Sequence, residues 1–145
     1  MLVRDILSTK QIGKIISIAT SDKISTAAEL LSEMRIGAVI VRDEGNEMDG
    51  ILSERDIVRE LGRSGSGCLT NSVSELMTSN VKSCSPTDTT QKVMQMMSDG
   101  RFRHMPVMED GKLIGVISIG DVVAARIKEV QFENDSMADL IAGNI

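Results

Sequence analysis

An internal repeat is the feature of this chain that most restricts what it can fold into. The stretch Ile36–Val41, IGAVIV, corresponds to Phe102–Val107, FRHMPV, 66 residues later. The stretch Gly50–Asp56, GILSERD, returns as Gly115–Asp121, GVISIGD, after 65 residues, because one turn is a residue shorter in the second copy. Blocks that recur at a nearly fixed distance indicate two copies of one supersecondary unit.

Hydrophobic periodicity predicts a β-α-β-β-α unit in each copy. The first copy has a strand near residues 15–19, a helix over 25–35, hairpin strands over 38–41 and 48–52, and a second helix from Ser53 or Glu54. In the second copy, Asp110-Gly111 is a strong hairpin-turn signal, and the last helix begins near Ile119. The predicted apolar faces of the two first helices are Ala27, Leu30, Leu31 and Met34, and Val93, Met94, Met96 and Met97.

These elements predict an α/β protein of the α+β type. We place the first repeat at residues 2–61 and the second at 73–128, with a glycine- and serine-rich flexible linker at 62–72 and a helical extension at 129–145. A three-stranded sheet with two helices is small for independent stability, so we expect the repeats to share a core. The expected body is pseudo-twofold, with two equivalent clefts.

Composition excludes several classes of protein. Of the 145 residues, 41% are apolar and 26% charged, as in ordinary globular domains, and the net charge of −5 disfavours nucleic acid as a partner. Cys68 and Cys84 lack the spacing of a metal site or disulfide framework, so we interpret them as incidental thiols in a reducing compartment. Because no apolar run is long enough for a signal peptide or a membrane span, we expect a cytoplasmic protein without a membrane partner.

The repeated Ser-x-x-Asp stretches, Ser53 to Asp56 and Ser118 to Asp121, allow two interpretations. Each is a capping box, in which serine and aspartate satisfy free backbone groups at the start of a helix. Each also follows a strand, where α/β architectures leave crevices and helices present free N–H groups. An aspartate there repels phosphate and suits a neutral diol such as ribose, so the recurrence favours a nucleoside site over capping alone.

Positive charge is concentrated just before the middle strand of the second copy, in Arg101-Phe-Arg-His104. This cluster could hold the phosphates of a nucleotide, or it could be a solvated basic surface before an edge strand containing Pro106. His104 is the only histidine, and no motif places a serine or cysteine nucleophile beside it. We therefore expect no catalytic residue.

The duplicated unit, ending each time in Gly-h-h-Ser-x-x-Asp (h, apolar), resembles the cystathionine-β-synthase (CBS) domain pair, or Bateman module, over about residues 2–128. The blocks GILSERDIVR and GRFRHMPVMEDGKLIGVISIGDVV are especially similar to short stand-alone bacterial CBS-pair proteins. The resemblance implies an adenosine ligand in each cleft, with aspartate on the ribose hydroxyls and serine on ribose or phosphate. AMP, ATP and NAD are the expected ligands, and S-adenosylmethionine is an alternative.

The resemblance also implies that each cleft is shared between the repeats. Cleft A would combine Ile51, Ser53, Arg55, Asp56, Asp88, Phe102, Arg103 and His104. Cleft B would combine Asp22, Ile36, Gly37, Ala38, Val116, Ser118 and Asp121. Because Gly37 and Ala38 replace Arg103 and His104, we expect cleft A to prefer more phosphates and cleft B to take AMP or stay empty.

Three functions remain open at this point. The first is a regulatory module whose nucleotide changes the geometry of the repeats or of a dimer and thereby a partner protein. The second is an enzyme, since the same module occurs as an insert in IMP dehydrogenase, but a β/α barrel needs about 250 residues. The third is a scaffold that has lost the ligand, which the retained Ser-Asp pairs disfavour.

The C-terminal segment carries a heptad pattern. Positions spaced 4, 3, 4, 3 and 4 residues apart form one seam: Val123, Ile127, Val130, Asn134, Met137 and Ile141. The seam either packs back on its own chain or pairs two chains. We predict that residues 122–142 help to form a homodimer.

Overall fold

The computed structural model describes residues 1–10 and 15–143. Six α-helices and five strands succeed one another along these residues: α1 (Val3–Thr9), β1 (Ser17–Ile18), α2 (Ile24–Met34), β2 (Ala38–Val41), β3 (Gly50–Ser53), α3 (Glu54–Ser64), α4 (Val73–Leu76), α5 (Thr90–Gly100), β4 (His104–Glu109), β5 (Lys112–Ser118) and α6 (Ile119–Ala142). A 3₁₀ helix, Ser66–Thr70, lies between α3 and α4. Residues 144 and 145 of the predicted extension lie outside the described residues.

The chain forms two compact units. The first-repeat unit comprises Gly13–Lys82 and Asp110–Ile114, and the second-repeat unit comprises Met1–Ile12, Ser83–Glu109 and Gly115–Ile145. The boundaries in space therefore differ from the repeat boundaries in the sequence, chiefly because the first helix of the chain belongs to the second-repeat unit.

The first-repeat unit is built on the sheet β1-β2-β3. The central strand β2 runs parallel to β1 and antiparallel to β3, with Ala38 opposite Ser53. Its apolar run suits a strand that is covered on both faces. The core of this unit consists of Ile18, Ile24, Ala27, Leu31, Val39, Val41, Leu52, Ile57 and Val73. Met34, predicted on the apolar face of α2, is 48% exposed because it lies at the end of that helix.

The second repeat contains the hairpin β4-β5. Asp110 and Gly111 both have positive φ, 51° and 77°, as the predicted tight turn requires. The expected first strand of this repeat is reduced to one parallel bridge between Cys84 and Val107. Pro86 follows closely and has no N–H with which to extend the ladder.

Each unit contains a short helix that precedes the other repeat in the sequence. The helix α1 precedes the first repeat but belongs to the second-repeat unit, and α4 precedes the second repeat but belongs to the first-repeat unit. In the second-repeat unit, Val3 at the start of α1 donates its backbone N–H to Asp88 O at 2.9 Å. In the first-repeat unit, Val73 at the start of α4 donates to Asp22 O at 2.7 Å. Both valines are fully buried, so the two helices dock in equivalent ways.

The predicted flexible linker is folded. Residues 62–64 complete α3, and Gly65, with φ of 80°, ends that helix by donating to Leu61 O. The 3₁₀ helix that follows buries Cys68, which is 2% exposed. The glycine content of this segment thus reflects a sharp helix end and not a flexible tether.

The last helix extends beyond the core of its unit. Val122 and Ala125 are its buried residues, whereas residues 131–143 are all exposed. All six positions of the heptad seam are exposed as well. The seam therefore does not pack back on its own chain.

Candidate functional site

Ser53 and Asp56 form a reciprocal capping box where β3 passes into α3. Ser53 Oγ accepts the backbone N–H of Asp56 at 3.2 Å, and Asp56 Oδ2 accepts from Ser53 N at 2.9 Å and from Ser53 Oγ at 3.0 Å. Both residues are half-buried. Arg59 Nη1 lies 3.7 Å from Asp56 Oδ1. The cap fixes the aspartate at the helix start and leaves its second oxygen in a position to accept hydrogen bonds.

Ser118 and Asp121 form the same capping box where β5 passes into α6. Ser118 Oγ accepts from Asp121 N at 3.1 Å, and Asp121 Oδ2 accepts from Ser118 N at 2.9 Å. A third residue, Lys10, donates from Nζ to Asp121 Oδ2 at 2.8 Å and to the carbonyl oxygen of Val116 at 2.9 Å. The carboxylate at this helix start is therefore paired with a cation from α1's end.

The charge on Asp121 is stabilised in the folded protein. Burial opposes ionisation and is the largest single influence, but the hydrogen bonds from Lys10 and Ser118 together outweigh it. The net result is that the pKa of Asp121 lies below its ordinary value. Asp121 is therefore ionised near neutral pH. Its carboxylate can accept hydrogen bonds but has no proton to donate.

The middle strands supply the backbone next to both helix starts. Gly37 O accepts from Glu54 N at 2.9 Å, and Arg103 O accepts from Ile119 N at 2.7 Å. Within the first-repeat unit, Gly37 and Ala38 therefore lie beside Ser53. Within the second-repeat unit, Arg103 lies beside Ser118. The assignment of these residues to clefts A and B stays a prediction.

Asp22 and Asp88 close the loops before α2 and α5. Asp22 Oδ2 accepts from Ala19 N at 2.9 Å, and Asp88 Oδ2 accepts from Ser85 N at 2.8 Å. The backbone hydrogen bond from Ser85, aided by Lys92 and opposed by burial, lowers the pKa of Asp88. Both carboxylates thus have a structural role in their own loops, which is compatible with a further role in ligand binding.

The remaining predicted site residues differ in exposure. Ile36 packs against the core of the first-repeat unit, and the Phe102 ring lies against Gly100, where an added Cβ would be 2.3 Å from Cε1. Arg55 and Arg103 are exposed, and His104 is half-buried at the start of β4. The two arginines are therefore the accessible positive charges among these residues.

Two residues near these helix starts were not identified from the sequence. Thr78, just after α4, exchanges two backbone hydrogen bonds with Ile51, at 2.9 and 3.0 Å. Lys10, just after α1, bonds to Val116 with its side chain. The sequence does contain a signal for these two residues, the similarity of VRDILSTK at 3–10 to VSELMTSN at 73–80. Both segments begin with a valine that is buried in the structure and end near a repeated strand.

The described part of the chain shows neither a metal-binding cluster nor a membrane-spanning helix. Residues 1–10 and 15–143 contain no group of three or more His, Cys, Asp or Glu side chains that could hold a metal ion. Within the same residues, no helix is both long enough and apolar enough to cross a membrane. The capping boxes are the features that the duplication has preserved at both helix starts.

Comparison with known proteins gives the family. The CBS domain model matches residues 3–63 and 73–128, so this chain belongs to the CBS domain family. The CBS domain-containing protein CBSX3, mitochondrial, of Arabidopsis thaliana is 34% identical over 128 residues, which are 86% of this chain and 62% of that protein. The chain thus spans under two thirds of that relative. CBS-domain pairs are generally regulatory.

Solved structures confirm the predicted fold class. The CBS-domain containing protein ATU1752 from Agrobacterium tumefaciens has a TM-score of 0.83 and 42% identity, covering 87% of this chain and 99% of its own. The CBS domain pair of protein MJ0100, in complex with 5'-methylthioadenosine and S-adenosyl-L-methionine, has a TM-score of 0.76 and 23% identity, covering 89% and 98%. At that identity the second likeness concerns the fold alone.

Proposed function

We propose that this chain is a regulatory module that binds an adenosine-containing ligand and is not an enzyme. The observation that carries the proposal is the pair of Ser-x-x-Asp helix starts, each with an aspartate fixed by its cap. A bound ligand would change the geometry of the module or of a dimer, and so the activity of a partner protein. The cytoplasmic location expected from the sequence is part of this proposal.

The chemistry of the helix starts suits a ribose. A carboxylate accepts hydrogen bonds from two neighbouring hydroxyl groups, and a serine hydroxyl can both donate and accept. Asp56 and Asp121 supply the carboxylates, and Ser53 and Ser118 supply the hydroxyls. Methylthioadenosine and S-adenosylmethionine, bound by the structural neighbour MJ0100, both contain such a ribose, which supports adenosine as the common part of the ligand.

Phosphate recognition would come from the second repeat's basic residues. Arg103 is exposed and His104 half-buried, whereas Gly37 and Ala38 hold the equivalent positions of the first repeat. A site that includes the two basic residues would favour nucleotides with more phosphates, such as ATP, and the other would favour AMP. NAD is the third ligand of this proposal.

The proposal is tested by ligand-induced thermal stabilisation of the wild type, Asp56→Asn and Asp121→Asn with AMP, ATP, NAD and S-adenosylmethionine. A ligand at about a hundred times its dissociation constant adds about 2.7 kcal/mol to the free energy of unfolding. We expect each substitution to remove the part of the shift that belongs to its site. Because asparagine also weakens the helix cap, each shift is measured from the variant's own Tm.

Asp5→Asn is the matched control for Asp56→Asn. Asp5 is likewise the third residue of a helix and accepts from Leu2 N at 2.8 Å, so its loss reports the cost of a weakened cap. Because Asp5 also lines the cavity beside Asp121, it does not serve as the control for Asp121→Asn. Equal ligand shifts in the wild type and in both site variants would contradict the proposal. A cooperative melt without a shift from any ligand would favour a ligand-free scaffold.

We further propose that α6 pairs this chain with a second copy of itself. From residue 131 onward the helix is exposed, and an isolated helix of about 12 residues is marginal in water. The exposed seam includes Ile127 at 53%, Met137 at 63% and Ile141 at 82%. A partner that covered this seam would stabilise the helix.

A second copy is the occupant that the seam favours. Asn134 is the one polar residue among its six positions and takes an a position of the heptad. In a parallel pair in register, Asn134 of one chain lies against the same residue of the other, and the two amides can bond to each other. An unrelated apolar partner would leave that amide without a matching group.

A further inference from the structure

Lys10 reaches a carboxylate that belongs to another repeat of the sequence. It follows α1, and its side chain crosses to the start of α6, 111 residues further along the chain. There the ammonium contacts two acceptors at once, Asp121 Oδ2 at 2.8 Å and Val116 O at 2.9 Å. The Lys10 side chain is 40% exposed and that of Asp121 is 28% exposed, so the pair lies at the surface of its unit.

The first-repeat unit has no lysine at the corresponding point. Val3 and Val73 begin α1 and α4 and dock in equivalent ways, and the seventh residue after each is Lys10 and Asn80. Asn80 is neutral and exposed. In that unit the carbonyl group of Ile51, which corresponds to Val116, accepts the backbone N–H of Thr78. The strand carbonyl group before each helix start therefore accepts from a different donor, the Lys10 side chain before α6 and the Thr78 backbone before α3.

Between α1 and α6 lies a cavity of about 490 Å³ that is open to solvent beside this ion pair. Its lining includes Lys10, Asp121 and Lys128, together with Ser8 and Thr9. Asp121 Oδ2 already accepts from Lys10 Nζ and from Ser118 N. A ribose diol that bonded to both oxygens of this carboxylate would therefore compete with the ammonium for Oδ2.

We infer that Lys10 is an internal competitor that sets the affinity of the Asp121 site for ligands carrying a ribose diol. This inference rests on the proposed function. A neutral nucleoside must displace or share the Lys10 contact. At Asp56 the residue that corresponds to Lys10 is Asn80, and the nearby cation is Arg59 of the same helix, 3.7 Å from Oδ1. Ligand binding at Asp121 is thereby coupled to the position of Lys10 at α1's end.

The test measures the affinity of adenosine by calorimetry in an Asp56→Asn background, so that the Asp121 site accounts for the heat. Adenosine carries no phosphate and gains nothing from the charge of a lysine. An exposed ion pair stabilises by an amount that corresponds to about a two- to fivefold change in affinity. We expect Lys10→Met to tighten binding by about that factor, and the gain to shrink as salt screens the pair.

Two further variants separate charge from packing. Lys10→Arg retains the cation and is expected to bind adenosine about as the parent does. Asn80→Met adds the same side chain at the corresponding position after α4 and is expected to leave the Asp121 site unchanged. The circular dichroism spectrum and the Tm establish that each variant is folded.

Each result decides between the inference and its alternatives. Unchanged, weaker or absent adenosine binding in Lys10→Met overturns the inference while binding at Asp56 in the unmutated chain still upholds the proposed function. An equal gain in Lys10→Arg overturns it too, because the cation is then irrelevant. If the proposed function is wrong, the result differs, because the wild type then binds no adenosine either.

Discussion

Gly50 lies so close to Thr78 that an added Cβ would be 2.6 Å from the Thr78 carbonyl oxygen and 2.9 Å from Met77 Sδ. We predict that Gly50→Ala lowers the free energy of unfolding by about 1–3 kcal/mol, because backbone must move to admit the methyl group. Urea unfolding measures the change. Gly62→Ala is the control, since Gly62 lies within α3 with nothing near its Cβ position. Alanine there should stabilise by up to about 1 kcal/mol.

The ion pair between Lys10 and Asp121 predicts a pH dependence of stability. The pKa of Asp121 is lower in the folded protein than in the unfolded chain, so the carboxylate contributes stability above the unfolded value. That contribution is lost as the pH falls from about 4 through the folded-state pKa. For a partly exposed pair we expect about 1 kcal/mol or less. Urea unfolding measures the free energy of unfolding of the wild type and of Asp121→Asn between pH 7 and 3. The difference between the two free energies should stay constant near neutral pH and become smaller below about pH 4.

The Cys84 thiol is predicted to resist alkylation. Burial, with a smaller contribution from the nearby Asp88 carboxylate, raises its pKa to about 12, so the reactive thiolate is scarce at neutral pH. In Cys68→Ser, where Cys84 is the remaining cysteine, N-ethylmaleimide should react slowly in the native state and rapidly in guanidinium. Mass spectrometry measures the labelled fraction with time. Rapid native labelling that follows an ordinary thiol titration would contradict the buried position.

The exposed seam of α6 predicts a substitution that separates two chains. We expect Met137→Glu to convert a dimer to a monomer, because it places a charge on both sides of the paired seam. Ser136→Glu adds the same charge one residue away, outside the seam, and should leave the dimer intact. Sedimentation equilibrium of the full chain measures the mass. A monomeric wild type, or a dimer that survives Met137→Glu, would show that α6 does not form the contact.

Asn134 predicts a further property of the same pair. Replacing a polar a-position residue with leucine removes the desolvation of an amide and should make the dimer more stable. The same substitution weakens the specificity of the helix register, because the amide pair is the contact that distinguishes one alignment of the two helices from others. Sedimentation equilibrium of Asn134→Leu should therefore show tighter association or larger species. Weaker association than in the wild type would contradict a parallel seam.

The repeated core could be predicted from the sequence because strand and helix periods are local. Ala38–Val41 forms β2 as predicted, and α3 and α6 begin at Glu54 and Ile119. The capping boxes could be predicted for the same reason, since serine and aspartate are three residues apart. Residues 62–72 have the composition of a flexible chain, and the burial of Cys68 within them depends on tertiary packing that composition does not report.

The contact between Lys10 and Asp121 could not be predicted by pattern alone. It depends on α1 docking against the second repeat, which the backbone bond from Val3 to Asp88 establishes over a long distance in the sequence. The heptad of α6 left two partners open, its own chain or another, and the exposure of Ile127 and Met137 decides against the first. Long-range packing is thus the information that the sequence patterns lacked.

The exchange of α1 and α4 has a consequence for any attempt to divide the protein. A fragment cut at the repeat boundary retains α1 without Asp88 and Thr89, the residues on which that helix docks. A half-length ancestor with a single repeat would have faced the same geometry. A leading helix that docked in the same way would cover the core of an identical chain, which would return its own, and duplication within one gene makes that exchange intramolecular.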